Sequence, residues 1–399
     1  MNPFKVPKRI EELKAEAVFN VLLRALAAEA SGKKIVHLEI GEPDFDTPQH
    51  IKEAAYEALK QGKTHYTPTL GIPELRKAIA ESVQRDYGVE ISWEKNVAVT
   101  TGCKQAIFAA TLAIVEEGDE VIYPNPGYPA YESAAFLAGG KPIPYRVTIE
   151  DNYRMIPEKL AELITPKTKL VFINSPNNPC GTVMSEEDVR GIVELSEDHG
   201  FFIISDEVYR PILFDGLKHF SPLNVKGELD RIIIVDGFSK RYAMTGWRLG
   251  YLLAPEEVLP YIFKILNVST SCPVAFNQYA GIAALRGPQE PSIMMAREYE
   301  RRRDVILEEL SKIEGIRFAR PTGAFYAFVD ISRVLDKLGI GSEEFVLRLI
   351  DNYGVSLLHG SALGSYGEGY IRISFANSEE NLREGIRRLK KAVDDALKS

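Results

Sequence analysis

A lysine that follows a buried strand and is bracketed by a serine and an arginine is equipped to hold a phosphorylated aldehyde. Such a lysine stands in Gly237-Phe-Ser-Lys240-Arg-Tyr-Ala-Met-Thr-Gly-Trp-Arg248, directly after the apolar run Arg231-Ile-Ile-Ile-Val235. Lysine amines condense with carbonyls once desolvation or a neighbouring cation lowers their pKa. The hydroxyl of Ser239 and the guanidinium of Arg248 suit a phosphate, because arginine pairs with phosphate through two parallel hydrogen bonds. A lysine after a strand is common on protein surfaces, so the reading depends on what else the chain brings to the same place.

Other strand ends carry matching chemistry. Asp206 closes the apolar run Phe201-Phe-Ile-Ile-Ser205. An acid there either caps the next helix or meets a buried cation, such as a pyridinium nitrogen. Pyridoxal phosphate (PLP) is an aldehyde that carries both a phosphate and such a nitrogen, and protonating its ring makes it an electron sink. Tyr209 and Asn178, the latter in Asn174-Ser-Pro-Asn-Asn178-Pro-Cys-Gly181, are candidate donors to the ring's phenolate oxygen. Packing of the tyrosine and turn formation by Asn-Pro-x-Gly are the plainer alternatives.

Thr100-Thr-Gly102-Cys103-Lys104 joins a strand to a helix, and the free N–H groups of Cys103 and Lys104 form a ready phosphate site. Tyr128, after a third strand end, is placed to stack on a pyridine ring or to pack in its loop. Arg372 lies within the apolar strand Tyr370-Ile-Arg-Ile-Ser374, where it faces either solvent or an anion; a substrate α-carboxylate suits its fork.

The elements that must position these residues alternate between strand and helix. Apolar strands at 96–100, 120–123, 170–174, 201–205, 232–235 and 248–253 are separated by helical stretches at 104–116, 131–138 and 186–199. Continuously apolar strands alternating with helices indicate a mostly parallel sheet covered on both faces, an α/β fold. Beyond Pro288 a charged helix over 293–312 opens a tail with strands at 324–329 and 370–374. The N-terminal arm reads as a helix whose apolar face carries Val18, Leu22, Leu23 and Leu26. Residues 1–45 and 288–399 are therefore expected to form a small α+β domain, and 46–287 a large PLP-binding domain.

In this order the motifs resemble those of a fold-type-I PLP enzyme, class I of the aspartate aminotransferase superfamily, and the likeness covers nearly the whole chain. It runs from Gly41-Glu-Pro-Asp-Phe-Asp-Thr-Pro48 and Tyr66-Thr-Pro-Thr-Leu-Gly71, through the Asn178, Asp206 and Lys240 segments, to Pro321-Thr-Gly-Ala-Phe325 and Arg372. The resemblance implies that Lys240 holds PLP covalently and shuttles a proton during transamination. It implies further that Asp206 pairs with the ring nitrogen, Asn178 and Tyr209 with the phenolate oxygen, and Tyr128 with the ring face. Ser239, Arg248 and the Gly102–Lys104 loop would grip the phosphate, and Gly41, Asn178 and Arg372 would receive the substrate. Tyr66 would reach the phosphate of a neighbouring subunit, which implies a homodimer.

Lys104 matches a basic residue that one bacterial-type aspartate aminotransferase subgroup places near the distal substrate carboxylate. Glu16 and Ala17 do not match the hydroxyl residue of that subgroup, and Ser271-Cys-Pro273 resembles archaeal-type aromatic aminotransferases. Aspartate or glutamate with 2-oxoglutarate is the leading expectation, followed by aromatic amino acids and alanine. A PLP-dependent lyase on the same fold is the further alternative.

The 399-residue chain is ordinary in apolar content (45%) and charged content (26%), with a net charge of -8 that disfavours nucleic acid and anionic membrane as partners. No apolar run reaches membrane-spanning length, and the start at Met1 lacks a signal-peptide core, so a cytoplasmic protein is expected. Three scattered cysteines, Cys103, Cys180 and Cys272, read as small buried thiols rather than a disulfide framework. The six histidines show no metal spacing, and no metal is expected. A PLP-binding transcription regulator would need a basic DNA-binding domain before Gly41, and a nucleotide-dependent enzyme would need a glycine-rich phosphate loop.

Overall fold

The computed structural model describes residues 4–13 and 17–398. Its centre is a sheet of seven strands: β1 (Val97–Thr100), β2 (Glu120–Asn125), β3 (Lys141–Arg146), β4 (Thr168–Asn174), β5 (Phe202–Asp206), β6 (Ile232–Gly237) and β7 (Gly250–Leu253). They lie in the order β1-β7-β6-β5-β4-β2-β3. Only β7 runs against its neighbours, pairing antiparallel with both β1 and β6.

The apolar strands are apolar because both faces are covered. Val171, Ile173 and Ile203 pack into the core shared with the C-terminal tail, whereas Leu170, Phe172 and Ile204 pack under the helices Cys103–Ile114 and Ala130–Leu137. Parallel register then sets the chemistry side by side. Asn174 pairs with Asp206 across β4 and β5, and Asp206 pairs with Val235 across β5 and β6. The carboxyl ends of three adjacent strands thus face one crevice, the usual place for a ligand in an open α/β sheet.

The tail forms a second, antiparallel sheet: β8 (Arg317–Phe318), β9 (Tyr326–Asp330), β10 (Leu358–His359) and β11 (Tyr370–Ser374), in the order β10-β11-β9-β8. Helices Glu290–Leu310 and Glu379–Lys398 pack against each other beside it. Val36–His37 pairs in parallel with Val355–Ser356, which ties the N-terminal arm to the tail.

The arm differs from its expected form. It contains two helices, Lys8–Glu11 and Val18–Ala30, and the longer one buries Val21, Ala25 and Ala28. Leu23 and Leu26, expected on the apolar face, are 64% and 46% exposed. The large leucines suggested the wrong stripe because small alanines make the close helix contact. Of the cysteines, only Cys180 is fully buried; Cys103 and Cys272 are intermediate. Several elements also shift by one to three residues, the usual margin where helix and strand ends fray.

Candidate active site

At the carboxyl ends of β4, β5 and β6 lies a cavity of about 660 Å³. Its walls contain every site residue expected from the sequence except Gly102 and Tyr66. Gly102 lies immediately behind the wall: at φ +85° it adopts a conformation natural only to glycine, and a Cβ there would come 2.6 Å from the Arg248 guanidinium. Tyr66 is 91% exposed on this single chain and lies outside the cavity lining.

Lys240 sits in a short helix, Phe238–Arg241, that begins where β6 ends. Its Nζ donates to the Gly41 carbonyl at 2.6 Å. Desolvation pulls the amine down to about 8, and the Arg372 and Arg248 guanidinium groups act in the same direction while Glu42 opposes them. A lysine with that pKa has a substantial neutral fraction near pH 7, which a nucleophile toward carbonyls requires.

Asp206 is the last residue of β5 and is only 3% exposed. One carboxylate oxygen accepts from the Tyr131 hydroxyl at 2.8 Å and the other from the Val208 N–H at 3.2 Å. Burial pushes this carboxyl up to about 6. The Tyr131 ring that holds it is itself stacked on Phe172 of β4, with centroids 4.8 Å apart. A buried carboxylate fixed by two donors and facing a cavity is a site for a cation, and a protonated ring nitrogen meets that need.

Asn174 stitches two strand ends together. Its amide donates to the Asp206 carbonyl at 2.8 Å, and its oxygen accepts from the Asn178 main-chain N–H at 2.9 Å. The Asn178 side-chain oxygen in turn accepts from Arg372 at 2.9 Å. Arginine can only donate, so this contact fixes the amide's orientation and leaves its NH2 to donate elsewhere. Arg372 also donates to the Glu39 carbonyl at 2.5 Å. Its Nε is buried with no protein acceptor, although the residue is only 5% exposed. That orphaned donor at the cavity wall calls for an anion.

Another part of the lining suits a phosphate. The helix Cys103–Ile114 opens at the cavity with Cys103 and Lys104 in its lining, and Ser239 and Arg248 line it too. Tyr128, also in the lining, stands edge-on to Tyr131 with ring centroids 5.6 Å apart. The Lys104 ammonium lies 5.7 Å from the Tyr128 ring centroid. An acid for the nitrogen, donors for the oxygen, a phosphate cradle and an amine together fit PLP group by group.

Sequence reasoning missed several wall residues. Tyr326 lies in the apolar strand 324–329 and Tyr131 opens a helix after a strand end, and neither setting marks a functional hydroxyl, yet both hydroxyls reach functional groups. Val18, Phe19 and Leu22 line the cavity from the arm helix, where only their apolarity was legible. Glu42, accepting from the Thr245 hydroxyl, lines it as well. Glu16 lies outside the described residues.

Comparison with known proteins places these features in context. The model of the family described as aminotransferase class I and II matches residues 33–389. An aspartate aminotransferase of Pyrococcus abyssi is 41% identical over 374 residues, covering 93% of this chain and 95% of that protein. Aromatic-amino-acid aminotransferase 2 of Thermococcus litoralis is also 41% identical, covering 90% and 92%. Among solved structures, the aspartate aminotransferase of Thermus thermophilus with maleate superposes with a TM-score of 0.91 at 39% identity, covering 98% of this chain and 100% of that one.

Proposed function

The chain belongs to the class I and II aminotransferases, and within that family we propose that it acts on dicarboxylic amino acids, exchanging amino groups between aspartate or glutamate and 2-oxoglutarate. It is a PLP-dependent transaminase, and its substrates are amino acids and 2-oxo acids. The observation that carries the substrate reading is that, besides Lys240 and the proposed phosphate partner Arg248, the same cavity presents two further cationic side chains, Arg372 and Lys104. A dicarboxylate offers one anion to each. A second reading, aromatic amino acids, draws on Tyr128, Val18 and Leu22 in the same wall and on the relative from Thermococcus litoralis.

Bound PLP supplies an electron sink for the pair left behind when the substrate Cα loses its proton. The chain's own residues do the rest in this reading. Asp206 holds the proton on the ring nitrogen, and its neighbour Tyr131 keeps the carboxylate turned toward it. Asn178 and Tyr209 donate to the ring's phenolate oxygen. The Cys103 and Lys104 N–H groups, Gly102, Ser239 and Arg248 would hold the phosphate, and Tyr128 would pack against the ring. Arg372, beside Gly41, would bind and orient the substrate α-carboxylate. Lys240 Nζ would serve as the group that takes the Cα proton and gives it back, a general acid–base role that suits an amine with a lowered pKa.

We also propose the two-domain division at residues 45 and 288, with the site between the parts, and a homodimer in which Tyr66 completes the partner's phosphate site. Exposed Phe19, Leu23 and Tyr66 support the dimer. Among the described residues no helix is long and apolar enough to cross a membrane. We propose a cytoplasmic setting, which the three free cysteines suit. The test is a matrix of single amino acids against 2-oxo acids, read as new amino acid formed. Turnover of aspartate and glutamate with 2-oxoglutarate is expected. Elimination products without a dependence on 2-oxo acid would put the lyase in its place.

A further inference from the structure

Tyr326, on β9, is buried to 1% exposure and was not among the residues expected at the site. Its hydroxyl lies 2.6 Å from the Tyr209 hydroxyl. It is pressed against Gly41 so closely that a Cβ on that glycine would fall 1.9 Å from it. Its ring lies under Arg372, with the guanidinium 4.5 Å from the ring centroid. Tyr326 therefore touches the proposed oxygen donor, the proposed carboxylate arm and the glycine whose carbonyl accepts from Lys240.

The hydrogen bond between the two tyrosines has a direction. A hydroxyl has one proton to give. If Tyr209 gives its proton to the cofactor's phenolate oxygen, as proposed above, it must accept from Tyr326. Burial raises the Tyr326 hydroxyl and the Arg372 cation over its ring offsets part of that rise, so the hydroxyl keeps its proton. A hydroxyl hydrogen-bonded from behind in turn donates more strongly.

We infer that Tyr326 is a positioning residue that acts through Tyr209, relaying hydrogen-bond polarisation to the cofactor's phenolate oxygen and lowering the proton affinity of the bound cofactor. The inference rests on the reading that Tyr209 faces that oxygen. Stabilising the anionic oxygen disfavours the proton it shares with the imine nitrogen. Removing the outer donor therefore raises the pH at which the bound cofactor's visible absorbance changes. Tyr326→Phe keeps the ring under Arg372 and deletes only the hydroxyl.

The experiment is a pH titration of that absorbance in the PLP-loaded wild type, Tyr326→Phe, Tyr209→Phe and the double variant. Loss of one neutral hydrogen bond corresponds to a protonation constant about 2- to 10-fold larger, a midpoint raised by roughly 0.3–1 pH unit. Tyr326→Phe should show this rise and Tyr209→Phe a larger one. In the Tyr209→Phe background the second substitution should add nothing, because the relay is already cut. A packing role alone would lower stability and leave the midpoint in place. An unchanged midpoint in Tyr326→Phe, with a shifted one in Tyr209→Phe, would overturn the inference. Unchanged midpoints in both would remove Tyr209 from the phenolate oxygen, and the reading beneath the inference would fail with it.

Discussion

Arg372 donates across 2.9 Å to the side-chain oxygen of Asn178, so the arginine on the small antiparallel sheet and the amide at the end of β4 are held as one unit. The link joins the proposed carboxylate arm to a proposed cofactor donor, and it crosses between the two sheets. In the proposed reading, a substrate carboxylate that engages the arginine would be felt at the amide.

Lysine at position 372 keeps a charge but loses the fork that reaches both Asn178 and the Glu39 carbonyl. Arg372→Lys is expected to lower kcat/KM for every amino donor by about 10- to 100-fold, the worth of one or two charged hydrogen bonds. Steady-state kinetics with aspartate, glutamate, phenylalanine and alanine check this. A loss confined to one of them would assign Arg372 to a side chain instead.

Asp206 makes stability depend on pH in the cofactor-free protein. Its carboxyl has an ordinary value of 3.8 and rises to about 6 on burial. The group's contribution is therefore fully present below about pH 4 and is lost as pH rises through 6, a change of about 3 kcal/mol. Urea unfolding of apo wild type and Asp206→Asn from pH 4 to 7 should show the wild type losing that much relative to the variant. Parallel curves would contradict it. In the loaded enzyme, Asp206→Ala should retain some PLP and lose most of its kcat, since the ring nitrogen has lost its counter-charge.

Cofactor uptake should report the depressed amine. Only a neutral amine attacks an aldehyde, and desolvation brings Lys240 to about 8. The rate at which apo protein turns yellow on adding PLP should rise with pH and level off above a midpoint near 8. A midpoint near 10.5, the ordinary lysine value, would show that the pocket does not perturb this amine.

A substitution at Lys104 tests the proposed substrate class. Lys104→Ala is expected to reduce kcat/KM for aspartate and glutamate roughly 5- to 150-fold more than for phenylalanine, the range a partly exposed charge pair supports. Equal losses would confine Lys104 to the phosphate loop, through its backbone N–H, and put aromatic substrates first.

Much of this arrangement is legible in the sequence because parallel strands buried on both faces are runs of Val and Ile, and polar residues that close such runs have little reason to be there without a ligand. Lys240, Asp206 and Asn178 stand out for that reason. Tyr326 and Tyr131 do not, because a tyrosine inside an apolar strand or at a helix start carries the same signal whether its hydroxyl is packed away or bonded to a functional group. The arm shows a related effect: Leu23 and Leu26 dominate its apolar pattern, whereas the buried positions are Val21, Ala25 and Ala28. Which hydroxyl meets which carboxylate is set by register between distant strands, as in the pairing of Asn174 with Asp206, and no local pattern encodes it.

The central claim is that Lys240 carries the cofactor and moves the proton. Lys240→Ala should fold, keep some PLP through the phosphate cradle, and turn over on the order of 10⁴-fold more slowly or worse. The most direct measurement is borohydride reduction of the PLP-loaded protein, followed by proteolysis and mass mapping of the pyridoxyl group. One labelled peptide is expected, with the label on Lys240 and absent from the Lys240→Ala variant. A label on any other lysine would contradict it.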